Sequence, residues 1–178
     1  TRARTKPRGY AGDHELLDRI YRGQLCADPL GKFFDRYFQA QAAPQAVRQR
    51  MAMIAEWIVA AARAKTRDVL HVAVVGSAAG WELRAALDRL SRSEQKNFRV
   101  TLLDLDPAAI EFGGALLAPY LEAGRLVGQA LNLFRLPGRP RDAAPLAGVD
   151  LMFCPGLFDY LDAAAAAEML HALYQSLA

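Results

Sequence analysis

Val69-Leu70-His71-Val72-Ala73-Val74-Val75, followed at once by Gly76-Ser77-Ala78-Ala79-Gly80, decides the fold. Seven residues with hardly a polar break read as a parallel strand buried on both faces. The small residues that follow let the backbone turn tightly and open a helix through about residue 90. A second strand, Phe98-Arg99-Val100-Thr101-Leu102-Leu103, ends on Asp104, and Asp106-Pro107 caps a helix that runs to about Leu117. Residues 126–133 read as a third strand and 149–153 as a fourth, separated by a loop rich in Pro, Gly and Arg. An Ala-rich helix runs from about Asp162 to the end. Strands alternating with helices imply an α/β fold, a doubly wound parallel sheet with right-handed crossovers.

Upstream of this unit the period is helical. Leu16, Leu17, Ile20 and Tyr21 share one side of a helix over 14–23. Asp28-Pro29 is an N-cap followed by proline at the first helical position. The helix it opens carries Phe33, Phe34, Tyr37 and Phe38 on one face and gives way around Pro44. Val47, Met51, Ile54, Ile58 and Ala61 mark a third amphipathic helix. Both stripes are expected to be core.

The chain has 178 residues, 53% hydrophobic and 23% charged, which fits one globular domain and excludes a disordered or low-complexity chain. Cys26 and Cys154 stand far apart without a CxxC or Cys/His cluster, so neither a disulfide framework nor a metal site is expected. No apolar run is long enough for a membrane span, and the basic N-terminus lacks the apolar core of a secretory signal. The cytoplasm is the expected location. Net charge is +3, with the basic excess confined to the first 68 residues. That excess suits either an anionic partner or a solvated helical face.

In doubly wound sheets, ligands bind outside the carboxyl ends of the strands. Residues 76–80 lie at one such end, and Asp104 closes the neighbouring strand 28 residues beyond Gly76. A carboxylate there can accept hydrogen bonds from both hydroxyls of a ribose. A nucleoside-bearing ligand follows. Ala78 and Trp81 occupy two of the three glycine positions of the dinucleotide fingerprint, and no Walker lysine follows, so phosphate binding is disfavoured.

The loop and strand resemble the first motif of class I S-adenosylmethionine-dependent methyltransferases. Leu103-Asp104-Leu105-Asp106-Pro107 is similar to that family's second motif. Gly128-Gln129-Ala130-Leu131 sits where the adenine-contacting strand end is expected, and residues 150–161 resemble the fourth motif, which lines the methyl-transfer site. Lys6-Pro7-Arg8-Gly9-Tyr10-Ala11-Gly12-Asp13, with the later Gly156-Leu157-Phe158-Asp159-Tyr160-Leu161, resembles the bacterial branch labelled 3-hydroxy fatty acid methyl ester (extracellular factor) synthase. The resemblance implies residues 1–67 as a helical cap or lid and 68–178 as a Rossmann-like S-adenosylmethionine-binding core. It implies a cofactor site of Gly76, Ser77, Ala78, Gly80, Asp104, Leu105, Ala130, Leu131, Cys154 and Gly156.

The implied reaction is methyl transfer to a small-molecule acceptor, with nucleic acid not favoured. A carboxylate acceptor on a fatty-acid-like substrate would need no base and would be oriented by Arg8 and Tyr10. A hydroxyl or amine would need one, with His14 or Asp13 the candidates. The family's sheet normally has seven strands, so a missing segment or a second chain is expected to complete this one. Two other readings stand beside it: a nicotinamide-dependent oxidoreductase, and a non-catalytic nucleoside-binding module or half of a two-chain methyltransferase.

Overall fold

A computed structural model describes residues 12–64 and 69–177. Three helices come first: α1 (His14–Tyr21), α2 (Pro29–Gln39) and α3 (Ala42–Ala64). They are followed by β1 (Leu70–Val75), α4 (Trp81–Leu87), the short α5 (Arg92–Gln95), β2 (Phe98–Asp104) and α6 (Pro107–Leu117). The chain then forms β3 (Leu126–Ala130), β4 (Leu151–Phe153) and α7 (Ala163–Tyr174), with 3-10 turns at Leu133–Arg135, Pro140–Leu146 and Phe158–Tyr160.

The four strands form a parallel sheet in the order β3-β2-β1-β4. β1 is buried at every position, as its nearly continuous apolar run requires, and its one polar side chain, His71, pairs with Thr101 Oγ1 at 2.9 Å. Its side chains alternate between two cores. Val72 and Val74 pack with Ile54, Ile58, Leu83, Leu87, Val100 and Leu102, beneath α3, α4 and α6. Ala73 and Val75 pack with Leu103, Leu133, Leu146, Met169 and Leu173, beneath α7 and the 3-10 turns. Beyond β4, Val149 bridges in parallel to Leu177.

Local chemistry sets the element ends. Asp13, Asp28, Asp106 and Asp162 each cap a helix by accepting a backbone N–H in its first turn. Pro44 lies in the first turn of α3, where its missing N–H costs nothing, so the break between helices falls earlier, at residues 40–41. α4 ends at Leu87 rather than near residue 90, because Ser91 and Glu94 form a capping box that starts α5. β3 stops at Ala130 rather than 133: the Asn132 side chain takes the Phe134 N–H at 3.1 Å and starts a 3-10 turn.

One expectation fails outright. Phe33, Phe34 and Tyr37 of α2 are not core; they are 59–65% exposed, with Leu30 beside them at 67%. α2 is held instead by polar bonds at its C-terminal end, where Gln39 donates to the Arg19 carbonyl and Arg48 donates to Gln39. Apolar periodicity shows that a helix has an apolar face, not what covers it. Among the described residues no helix is long and apolar enough to cross a membrane, and no cluster of His, Cys, Asp or Glu could hold a metal.

Candidate functional site

The strand order reverses between β1 and β4, and the loop after β1 lies at that switch point. Gly76 and Gly80 have φ of 70° and 66°, a region open to glycine at little cost. Ala78 adopts φ 44° with a Cβ in place, which costs on the order of 1 kcal/mol. Asp104 offsets that strain: its Oδ2 accepts the Ala78 N–H at 2.8 Å, and its Oδ1 accepts the Asp106 N–H at 2.9 Å. Strand-end acid and loop are thereby fixed as one wall. Burial pushes the Asp104 carboxyl above the usual carboxylate range, against the pull of these two amides. Each carboxylate oxygen still has a lone pair to offer a ligand.

That wall borders a cavity of about 530 Å³, a size typical of small-molecule sites. Its floor is residues 76–79 with Asp104 and Leu105. Leu133, Phe134, Pro155, Gly156, Leu157, Asp159 and Tyr160 form a second side. Gly12, Leu17 and Tyr21 from the α1 region, Val47 and Arg50 from α3, and Glu82 from α4 close the third. The surface is mostly apolar. The Ser77 hydroxyl is buried in it with no hydrogen-bond partner among the described residues.

The third side holds a polar cluster. Tyr21 OH donates to Glu82 Oε1 at 2.8 Å, and Glu82 is 2% exposed. Burial raises the Glu82 carboxyl above its ordinary range, opposed by its own backbone N–H, by Tyr21 and by Arg50. Burial and then the Glu82 charge raise the Tyr21 phenol, so it stays protonated. Arg50 lies close enough to act on both, yet its Nε is buried without a hydrogen-bond partner among the described residues. Next to this cluster, Trp81 Nε1 donates to Asp18 Oδ1 at 3.1 Å, and the Arg22 and Arg84 guanidinium groups each lie 5.2 Å from the Trp81 ring centre. The Asp18 and Arg22 contacts fasten α1 to the first turn after the loop, while Arg84 belongs to the same helix as Trp81.

The structure brings Gly76, Ser77, Ala78, Asp104, Leu105 and Gly156 together around the cavity. Gly80 closes the loop just behind it, its N–H bonded to the Ser77 carbonyl at 2.9 Å. Ala130, Leu131 and Cys154 do not line it: Ala130 is exposed, while Leu131 and Cys154 pack on the second core. Burial pushes the Cys154 thiol up to about 11. Asp13 is buried as the cap of α1. His14, also buried, lies with Nδ1 3.4 Å from Asp106 Oδ2 and its ring against Phe112. Arg8 and Tyr10 lie outside the described residues.

Sequence reading missed Tyr21, Arg50 and Glu82 as site residues. The available signal was Arg50, which interrupts the apolar stripe of α3 between Val47 and Met51. Charge on a buried face is informative in a way that exposed charge is not.

Comparison with known proteins adds the following. A family model described as "Putative methyltransferase" matches residues 8–126. No protein of curated function matches. Among solved structures, one described as a possible exported protein from Bordetella parapertussis is 24% identical, with a TM-score of 0.69 over 93% of this chain. The likeness is one of fold, and the chain spans 50% of that protein's length. A methyltransferase from Geobacter sulfurreducens is 17% identical, covering 93% of this chain and 76% of its own, at a TM-score of 0.49. PKMT2 from Rickettsia typhi, in complex with AdoHcy, is 16% identical, covering 62% and 19%, at 0.45.

Proposed function

Because the chain belongs to this methyltransferase family, we propose that it is a class I enzyme that moves the methyl group of S-adenosylmethionine to a small-molecule acceptor. The observation that carries the reading is the Asp104–Ala78 bond, which sets a ribose-binding acid and a small-residue loop side by side in one cavity wall. The residues present fit the cofactor. Asp104 has lone pairs left for ribose hydroxyls, the orphaned Ser77 hydroxyl needs a polar partner, and the apolar floor suits a base and a thioether.

When bound, the cofactor supplies a methyl group already activated on a sulfonium. The chain's own work is therefore placement. Gly76 and Ser77, with Gly80 behind them, pack against the methionine part of the cofactor, Asp104 holds its ribose, Leu105 flanks the adenine, and Leu17, Val47, Phe134 and Tyr160 offer apolar surface to the acceptor and exclude water. Residues 1–67 act as the cap, reaching the cavity through Leu17, Tyr21, Val47 and Arg50. The finer acceptor, a carboxylate on a fatty-acid-like chain, suits these apolar walls. It would be oriented by Arg8 and Tyr10.

Thermal-shift measurement with S-adenosylhomocysteine and NAD(H) tests the proposal. Stabilisation by S-adenosylhomocysteine is expected. Stabilisation by the dinucleotide alone would replace this reading with an oxidoreductase. Binding without methyl transfer to any acceptor pool would leave a nucleoside-binding module.

A further inference from the structure

No residue of α2 is buried, yet the helix carries a full apolar face. Leu30, Phe33, Phe34 and Tyr37 recur at the spacing i, i+3, i+4, i+7 and form one strip along it. All four are 59–67% exposed, and the rings of Phe33 and Phe34 meet edge to face with centres 5.7 Å apart. A single apolar residue on a surface is ordinary, whereas four large ones in a strip mark a surface made to be covered. The remaining residues are polar enough that α2 as a whole is close to neutral in hydropathy.

Charge decides what covers the strip. Lys32 and Arg36, one turn apart, border it on the side of Phe33. Both are exposed, and neither has an ion-pair partner among the described residues. The two acids of this segment are engaged by backbone: Asp28 accepts the Gly31 N–H at 2.7 Å, and Asp35 accepts the Cys26 N–H at 2.8 Å. The face offered to a partner is therefore apolar with a free basic border, the same sign as the excess over residues 1–68. A twofold contact between two copies of α2 would set these cations on one interface with neither acid free to answer them.

We propose that α2 docks the protein on the surface of a bilayer that contains anionic lipids: Leu30, Phe33, Phe34 and Tyr37 enter the boundary between headgroups and acyl chains, and Lys32 and Arg36 pair with the lipid phosphates. A strongly one-sided helix of low overall hydropathy, with aromatic residues on one face and Lys/Arg beside them, lies in the plane of a membrane surface. Its 11 residues are too few to cross. Tyr37 suits the headgroup level, where its ring is apolar and its hydroxyl wet. Gln39, which bonds α2 to Arg19 and Arg48, lies half a turn round the helix from Leu30, so the strip is open to a bilayer without any rearrangement. The proposal is independent of the methyl-transfer reading.

The test is co-sedimentation of the chain with vesicles of phosphatidylcholine alone and of phosphatidylcholine mixed equally with phosphatidylglycerol. Binding is expected to be roughly 10- to 30-fold tighter on the anionic vesicles and to weaken as salt is raised. Lys32→Gln with Arg36→Gln should remove that preference. Phe33→Ser, Phe34→Ser and Tyr37→Ser together should lower binding to the anionic vesicles at least tenfold, with the melting temperature of each variant measured alongside to show that it folds. Phe34→Trp keeps the face apolar, so it should bind as wild type does, and its added emission should shift to the blue on anionic vesicles. Arg2, Arg4, Lys6 and Arg8 stay in every variant. Serine substitutions that leave vesicle binding unchanged would assign it to those charges and overturn the proposal. So would no binding to either vesicle, equal binding to both, or a dimer in solution that the serine substitutions turn into a monomer.

Discussion

Replacing Asp104 by alanine should damage stability and cofactor binding in separable amounts. In the native protein the Asp104 carboxylate accepts the Ala78 and Asp106 N–H groups at 2.8 and 2.9 Å, at a residue only 7% exposed. Alanine leaves both donors without that acceptor, at about 1–3 kcal/mol each. Part of this is returned, because the carboxylate is itself unfavourably buried, as its raised pKa records. A net loss of about 2 kcal/mol is expected, or roughly 4–8 °C in Tm for a chain of this size. Binding loses a charged acceptor for two ribose hydroxyls, about 1.5–3 kcal/mol, so Kd for S-adenosylhomocysteine should rise roughly 10- to 100-fold. Calorimetry at 25 °C, well below the variant's Tm, measures the second effect apart from the first. A lowered Tm with Kd within twofold of wild type would refute the reasoning and reduce Asp104 to a staple of the loop.

Three further outcomes are expected. Burial holds the Glu82 carboxyl above its ordinary range, so the stability it contributes is present below about pH 4.3 and is lost as pH rises through its folded value. In ligand-free protein, where its own backbone N–H, Tyr21 and Arg50 offset that burial only in part, Glu82→Gln should therefore gain in Tm relative to wild type from pH 4.5 to 7.5; a constant difference would show that the folded carboxyl titrates as the unfolded one does. A Cβ on Gly128 of β3 would stand 2.5 Å from Ile110 Cγ2 on α6, so Gly128→Ala should cost about 1–3 kcal/mol by denaturant unfolding. An unchanged midpoint would mean that α6 shifts freely. Replacing Phe33, Phe34 and Tyr37 together by serine should leave Tm within about 2 °C, given their exposure; a larger fall would mean that something covers this face.

Where local chemistry decided the structure, the sequence could be read. The apolar β1 run, the strand ending on Asp104 and the Asp-Pro caps of α2 and α6 all depend on neighbours within a few residues. The pairing of Val75 with Leu103 brings the loop and Asp104 to the same end of the sheet, as a parallel register requires. The polar cluster was hidden for the opposite reason. Tyr21 and Glu82 are 61 positions apart, and each reads alone as an ordinary helical residue. The aromatic stripe of α2 failed differently: its period was right, but the packing of α2 on α3 through Gln39 and Arg48 leaves that face outward.

The account stands most directly on where a sulfur-linked adenosine sits. A crystal structure of the chain grown with S-adenosylhomocysteine should show the ribose hydroxyls within hydrogen-bond distance of Asp104 and the thioether above residues 76–79. Density for the ligand elsewhere, with Asp104 bonded only to Ala78 and Asp106, would contradict it.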